Sequence, residues 1–556
     1  MSCTTSGGLR VRLAAFTLAL VSALIASTAG ASAQTDKVKT DKGTVEGNET
    51  RLGAEYLGIP YAKPPVGKMR WKAPAPAKRF KGILDATEVR SPCLQDDTEV
   101  TDSRLGSEDC LFLNVYAPKK AKGKLPVMVW FHGGAFINGS GNIYNGSKLA
   151  NTANAIVVTV NYRLGPFGWL ALPGLAAERS DGSTGNYGLM DQQAALRWVK
   201  SNIGGFGGQS KNVTIFGQSA GGEAGFAHLT SPASQGLFSK VITQSGPVTL
   251  RFPTKDAAYE KYAPVAARAG CPSGGDPAAQ VACLRKAKAN KVLSAADETW
   301  DLVSRLGLDW TPTNDGALLP APFQDMLAEG NFAQVPVMVG ATAHEGKLFI
   351  GIYENNIGRA ATDADIFERL NAFFAALSGL PESTTATITR NTIDRYAADP
   401  RYPTPGLQGA GIVTDALFSC SQATLRDSLS AKVPTYGYEF DDPNTPDVEI
   451  DAKFIDLGSA HDSELPYLFQ IDPDTGKPPK LNKRQRALGV QMGEYWGQFA
   501  RTGNPNGKGL PTWSPWQADS GIAQSLQPGG SVGLAPGAFE TEHQCSYWNA
   551  LLGAIG

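Results

Sequence analysis

Residues 213–222 read Val-Thr-Ile-Phe-Gly-Gln-Ser-Ala-Gly-Gly, and no other stretch narrows the possible folds so far. Four β-prone residues run into Ser219, with Gly217 and Gly221 two positions to either side. This is the G-x-S-x-G pattern of a strand that turns sharply into a helix and exposes a serine at the tip. The turn strains the serine backbone, and a Cβ at either glycine would collide with the strand or the helix. The helix that follows points its N–H groups at the serine oxygen, where they stabilise negative charge. The pattern predicts a nucleophilic serine, which then needs a base, an acid and an oxyanion site.

A serine hydroxyl is a weak nucleophile at neutral pH without an adjacent base, and histidine is the usual one. The chain has five: His132, His228, His344, His461 and His543. His132 opens His132-Gly133-Gly134-Ala135 directly after an apolar run, the pattern of a loop that exposes backbone N–H groups to an oxyanion. His228 falls in the helix after the serine and reads as structural. His344 precedes an acid candidate, and His543 neighbours Cys545. His461 sits in a small-residue loop, 458–467, before an apolar segment. Folds built on this elbow order their residues serine, acid, histidine, which selects a late histidine. The acid then lies past an intervening strand. Glu345, after the run 335–340, is the candidate, and Asp315 in Thr313-Asn314-Asp315-Gly316 is the rival.

The surroundings predict an α/β architecture. Continuous apolar runs at 125–131, 155–162, 213–216, 240–244 and 335–340 read as strands buried on both faces, with a sixth at 435–440. A helical pattern at 190–200 separates the second and third. Alternating strands and helices imply a large, mainly parallel, twisted sheet flanked by helices. Residues 37–47 read as a strand-like opening and 56–67 as an extended segment punctuated by Pro and Gly. The stretches 250–330 and 345–430 read as helical insertions that wall a substrate gorge.

Arg10 and Arg12, an apolar run at 13–26 and Ala31-Ser32-Ala33 form a secretory signal pattern. Residues 1–33 are therefore expected to be a cleaved leader, leaving 34–556 as one domain exported to the periplasm or beyond, with no stable membrane anchor. Cys3 leaves with the leader, and Cys93, Cys110, Cys271, Cys283, Cys420 and Cys545 stay. An even number in an exported chain implies disulfides, and the simplest of the fifteen pairings is 93–110, 271–283 and 420–545. The short loops are worth roughly 3 kcal/mol each on the chain-entropy account. A net charge of −1 with no basic or acidic block argues against nucleic acid or an anionic membrane as partner. No His/Cys cluster has metal-ligand spacing, and neither metal nor cofactor is expected.

With these residues in place, the chain resembles the type-B carboxylesterase/lipase family, which includes the cholinesterases. The resemblance spans nearly all of the chain beyond the leader. It rests on YLGIPYAKPPVG at 56–67 with Met69-Arg70-Trp71, SEDCLFLNVY at 107–116, NYRLGPFG at 161–168 and GNYGLMDQ at 185–192. It implies an α/β-hydrolase fold with Ser219 as nucleophile, Glu345 as acid and His461 as base. Gly133, Gly134 and Ala220 would donate to the oxyanion. It also implies the three disulfides named above, an Arg70–Glu108 ion pair near the gorge, and a small-molecule ester as substrate.

Two departures narrow the expectation. Gln218 stands where the family often has glutamate, and no tryptophan lies between Cys93 and Cys110. Both speak against a choline ester. The acidic, polar segment 94–102 speaks against a true lipase with an apolar lid. An intact triad speaks against a catalytically dead binding member of the fold. What is expected is an esterase for soluble short-chain or specialised esters, carbamates, pyrethroids and polyester mycotoxins among them. Trp300, Trp310 and Phe323 are candidates for an acyl pocket or for ordinary core.

Overall fold

The computed structural model describes residues 37–96, 104–119, 123–249, 251–296, 310–447, 450–471 and 478–555. The expected leader, Trp300 and much of the polar segment before Cys110 lie outside these residues.

Eleven of the described strands form one sheet, labelled here in chain order. They are β1 Asn48–Thr50, β2 Gly53–Pro60, β3 Phe112–Pro118, β4 Leu125–Phe131, β5 Ile156–Val160 and β6 Gly208–Gln218. Then follow β7 Lys240–Gln244, β8 Val337–Thr342, β9 Thr435–Phe440, β10 Gln524–Leu526 and β11 Val532–Gly533. Their spatial order is β11-β10-β9-β8-β7-β6-β4-β5-β3-β2-β1. All pairs from β5 across to β10 are parallel, and the pairs at both margins are antiparallel. The opening segment is a hairpin, Lys37–Thr40 against Gly43–Glu46, in a separate small sheet.

The continuous apolar runs follow from burial on two sides. Along β4, Val127, Val129 and Phe131 enter one core while Met128 and Trp130 enter the other. β8 repeats this, with Val337 and Val339 on one side and Met338 on the other. The first core is closed by helix α1, Tyr187–Asn202, through Leu196 and Val199, and by α2, Ala220–Thr230, through Phe226. The second is closed by a helix at Lys483–Thr502 through Met492, Trp496 and Phe499. Every apolar side chain of such a strand leaves water, so the strand needs no polar face.

Two helical insertions interrupt the sheet. Lys255–Arg268, Pro277–Lys286, Ala289–Ala296 and Phe323–Glu329 lie between β7 and β8. Helices from Gly346–Ile357 to Cys420–Ser430, with a π-helical stretch at Thr414–Ser419, lie between β8 and β9. Among the described residues, no helix is long and apolar enough to cross a membrane. All three expected disulfides are formed: Cys93–Cys110, Cys271–Cys283 and Cys420–Cys545.

The chain runs from β4 outward to β5 and then returns to place β6 on the other side of β4. That reversal leaves a crevice above the carboxyl ends of β4 and β6, the usual ligand position in an open α/β sheet. β4 ends one residue before His132, and β6 ends one residue before Ser219.

Candidate active site

Ser219 caps α2 with φ 54° and ψ −125°, a region that a residue with a side chain enters only at a cost of about 1–3 kcal/mol. Neighbours hold it there. Its N–H donates to the Gln244 carbonyl at 2.8 Å, and its own carbonyl accepts from the Glu223 N–H at 2.9 Å. The glycine requirement is steric. A Cβ at Gly221 would lie 1.9 Å from the Phe131 carbonyl oxygen, and one at Gly217 2.4 Å from the Gly221 carbonyl oxygen. Both positions press against the end of β4, so the elbow is tight toward the neighbouring strand as well as toward its own helix.

The glycine loop after β4 lies directly against the serine, since a Cβ on Gly133 would be 3.1 Å from Ser219 Cβ. The loop turns through Gly134 at φ +95°, and Ile137 and Asn138 both donate to the Gly134 carbonyl. Two anchors fix it. The Phe136 carbonyl accepts from the Gly165 N–H at 2.8 Å and from the Trp169 indole at 3.1 Å. The Gln95 side chain exchanges hydrogen bonds with Gly139 and donates to the Cys93 carbonyl, which ties the loop to the first disulfide. Among the described residues, no turn or loop hydrogen bond uses the N–H of Gly133, Gly134 or Ala220. Gly133 of the glycine loop and Ala220 in the first turn of α2 thus lie next to Ser219 with N–H groups that no turn or loop bond takes.

The structure brings His461 and Glu345 together and leaves Asp315 elsewhere. His461 Nδ1 is hydrogen-bonded to Glu345 Oε2. Glu345 follows β8 and is fully buried, and its other oxygen accepts from the Thr342 N–H at 2.8 Å. The His461 N–H donates to the Glu345 carbonyl at 3.3 Å, so backbone and side chain register the two loops. Because a carboxylate only accepts, the Nδ1 that faces it carries the proton, and Nε2 of the neutral ring is the acceptor. Asp315 instead accepts from Asn186 Nδ2 and from the N–H groups of Ala317, Leu318 and Leu319.

His228, His132 and His543 are committed elsewhere. His228 bridges Ser234 Oγ and Gln192 Oε1, and burial pushes its ring down to about 3. His132 stacks on Tyr162, its Nδ1 donates to the Gly133 carbonyl, and burial pushes it to about 4. Burial, with the nearby Lys347 charge, likewise pushes His344 to about 4. His543 lies between Asp415 and Glu439, 2.6 Å from each.

Around His461 lie features that no local sequence signal ties to the ring, Gln218 among them although it departs from the family pattern. The rings of Phe349 and Phe418 each lie 5.1 Å from the imidazole and stack on one another at 5.9 Å. Phe418 belongs to the π-helical stretch, a distortion common at functional sites. Glu464 is buried three residues after His461. Burial, with the Glu345 charge adding to it, pushes Glu464 up to about 7 against the hydrogen bond from Gln244. The Gln218 carboxamide nitrogen lies 2.9 Å from His461 Nε2. Of the acyl-pocket candidates, Trp310 stacks on Tyr262 at 4.5 Å and Phe323 packs against Phe226 and Phe252, so both are core. Arg70 and Glu108 form their ion pair at 2.6 Å.

Residues 34–548 match the Carboxylesterase family. The chain is 36% identical over 482 residues to the para-nitrobenzyl esterase of Bacillus subtilis, covering 84% of this chain and 90% of that protein. It is 34% identical over 517 residues to the human cocaine esterase, covering 89% and 87%. A solved structure of a PNB esterase superposes with a TM-score of 0.74 at 32% identity, over 92% of this chain and 99% of that one.

Proposed function

The chain belongs to the carboxylesterase family and is a carboxylic ester hydrolase, and on that premise we propose that it works through an acyl-enzyme on Ser219, with His461 as base and Glu345 orienting it. The observation that carries this reading is the buried His461 Nδ1–Glu345 Oε2 contact, with the ring held 2.9 Å from the side chain of Gln218, the residue before the strained Ser219, and Gly133 lying against that serine. Ser219 Oγ attacks the ester carbonyl as its proton passes to His461 Nε2. The N–H groups of Gly133, Gly134 and Ala220 hold the tetrahedral oxyanion, each contributing about 3 kcal/mol in a dry site. The imidazolium, stabilised by Glu345, returns the proton to the departing alcohol. Water then attacks the acyl carbon as His461 takes its proton, and the imidazolium returns that proton to Ser219 Oγ as the C–O bond breaks and the acid leaves. Side chains, backbone and water supply every step.

The substrate reading is a soluble neutral ester of short acyl chain, or a specialised ester of that size. It rests on Gln218, which places a neutral amide where a carboxylate would favour a cationic alcohol, and on Phe349 and Phe418, which set apolar surface beside the base. The three disulfides and the signal pattern at 1–33 support an exported enzyme.

Initial rates on p-nitrophenyl esters from acetate to palmitate, with Ser219→Ala alongside, test both parts. The expected result is a maximum at short chains and a loss in the variant to below about one per cent of wild-type turnover. Residual turnover above that level removes Ser219 from the nucleophile role, and a rise toward palmitate replaces the soluble-ester reading with a lipase.

A further inference from the structure

Gln218 is the last residue of β6 and is buried. The carboxamide lies between the glycine loop and the base. Its oxygen would be 2.7 Å from a Cβ on Gly133, and its nitrogen is 2.9 Å from His461 Nε2. Nε2 of the neutral ring offers one in-plane lone pair, and an amide nitrogen can only donate to it. The same lone pair must receive the Ser219 proton when the serine attacks.

We propose that Gln218 is a positioning residue that occupies the proton-accepting nitrogen of His461 in the resting enzyme, so that Ser219 gains its base only when the amide is displaced as an ester enters beside Gly133. The inference rests on Ser219 and His461 acting as nucleophile and base. A hydrogen bond donated to the neutral ring favours that form over the cation. A glutamate at 218 would instead accept from the cation and favour it. The other charged groups facing the ring are Glu345 on Nδ1, Asp462 with Oδ1 3.9 Å from Nε2, and the buried Glu464. Asp447 borders the cleft that reaches His461, and Phe349 and Phe418 bring no charge. The amide is thus a neutral donor set against several carboxylates, and replacing it is expected to let them favour the cation.

The test compares the full-length wild type with Gln218→Met, Gln218→Asn and Gln218→Glu, each checked for a wild-type thermal midpoint. Methionine keeps the length without the donor. Asparagine keeps the amide but falls short of the ring, and serves if methionine misfolds. In protein labelled with 15N-histidine, His461 is assigned by the signal that Ser219-intact His461→Gln loses, and its titration is read directly. The expected order of ring pKa is wild type lowest, Met and Asn higher, and Glu highest, about one to three units above wild type. The rate at which diethyl p-nitrophenyl phosphate modifies Ser219 is expected to rise about three- to tenfold in Met and Asn, the worth of one ordinary hydrogen bond. Ring pKa values that coincide within about 0.3 unit, or Met and Asn enzymes modified no faster than wild type, overturn the proposal. Ser219→Ala separates the two readings. Hydrolysis that survives it defeats the proposed mechanism, whereas a dead Ser219→Ala with coinciding titrations defeats only the role of Gln218.

Discussion

Two buried histidines in this molecule each face carboxylates, and their surroundings suit them to opposite tasks. His461 meets Glu345 at Nδ1 and turns Nε2 toward the Gln218 amide and the serine elbow. His543 meets Asp415 at Nδ1 and Glu439 at Nε2, both at 2.6 Å. With a carboxylate on each nitrogen, His543 has no acceptor left and is held as a cation. The pairing overcomes burial, which alone would lower it, and raises the ring from 6.5 to about 10. The neighbouring bonds extend the clamp, since Tyr396 donates to Asp415 at 2.5 Å and the Trp548 indole donates to Tyr396. The clamp thus fastens the chain end, beside the Cys420–Cys545 bridge, to the second insertion. At Nε2 the two sites differ in what lies nearest, the Gln218 amide at 2.9 Å with Asp462 only at 3.9 Å for His461 and Glu439 at 2.6 Å for His543, and that difference separates the proposed base, which must both take and return a proton, from a structural cation, which must do neither.

The contrast predicts separable losses. His461→Gln is expected to lower kcat/KM by about 10⁴-fold or more while the thermal midpoint barely moves. If the two fall together, His461 is structural like His543. Glu345→Gln is expected to cost about 10²- to 10⁴-fold in kcat with KM little changed, because the ring loses its orienting acceptor. Asp315→Asn should stay within about threefold per folded molecule, since its oxygens serve the 317–319 turn. The reverse pattern in kinetics of the two variants would make Asp315 the acid.

His543→Gln is expected to spare kcat per folded molecule and to cost about 3–5 kcal/mol of unfolding free energy, the scale for breaking a buried pair. Its pH dependence has a definite sign. A folded pKa of about 10 against an ordinary 6.5 means that the stabilisation is fully present below about pH 6.5 and is lost as pH rises toward 10. Denaturant melts of wild type and variant should therefore converge across that window. A gap that stays constant from pH 6 to 10 would show that His543 is neutral in the fold. The smallest effect belongs to Glu464, whose folded pKa of about 7 lies above the ordinary 4.5. Its cost to the wild type appears as pH rises from about 4.5 through 7. Glu464→Gln should therefore gain a few degrees in melting temperature relative to wild type above pH 7 and none at pH 4, and a pH-independent difference would mean that the carboxyl does not titrate there.

The parts legible in the sequence were those where one local rule acts alone. β4 lies where a continuous apolar run predicts it, because both faces are buried and no polar residue interrupts the run. The elbow, the glycine loop and the position of Glu345 after β8 are legible because each sits at a strand end, where backbone geometry restricts residue type. β10 and β11 are short and were not legible, since their pairing depends on the sheet already present. The helix Lys483–Thr502 carries an Asn482–Gln485 capping box, but Gly489, Gly493 and Gly497 weaken its helical pattern. Their reason is tertiary: a Cβ on Gly497 would lie 2.2 Å from the Ala153 carbonyl oxygen. Phe349 and Phe418 come from separate segments and meet only across His461, so neither carries a local signal. Gln218 stood out as a departure from the family, but its contact with His461 follows only from the fold.

The most direct test of the acyl-enzyme account is mass spectrometry of the intact protein and its peptides after reaction with diethyl p-nitrophenyl phosphate, with ester hydrolysis followed in parallel. The account predicts one diethylphosphoryl group per chain, carried on Ser219, and hydrolysis lost in proportion to labelling. Labelling at another residue that abolishes activity, or full hydrolysis by enzyme labelled on Ser219, would contradict it.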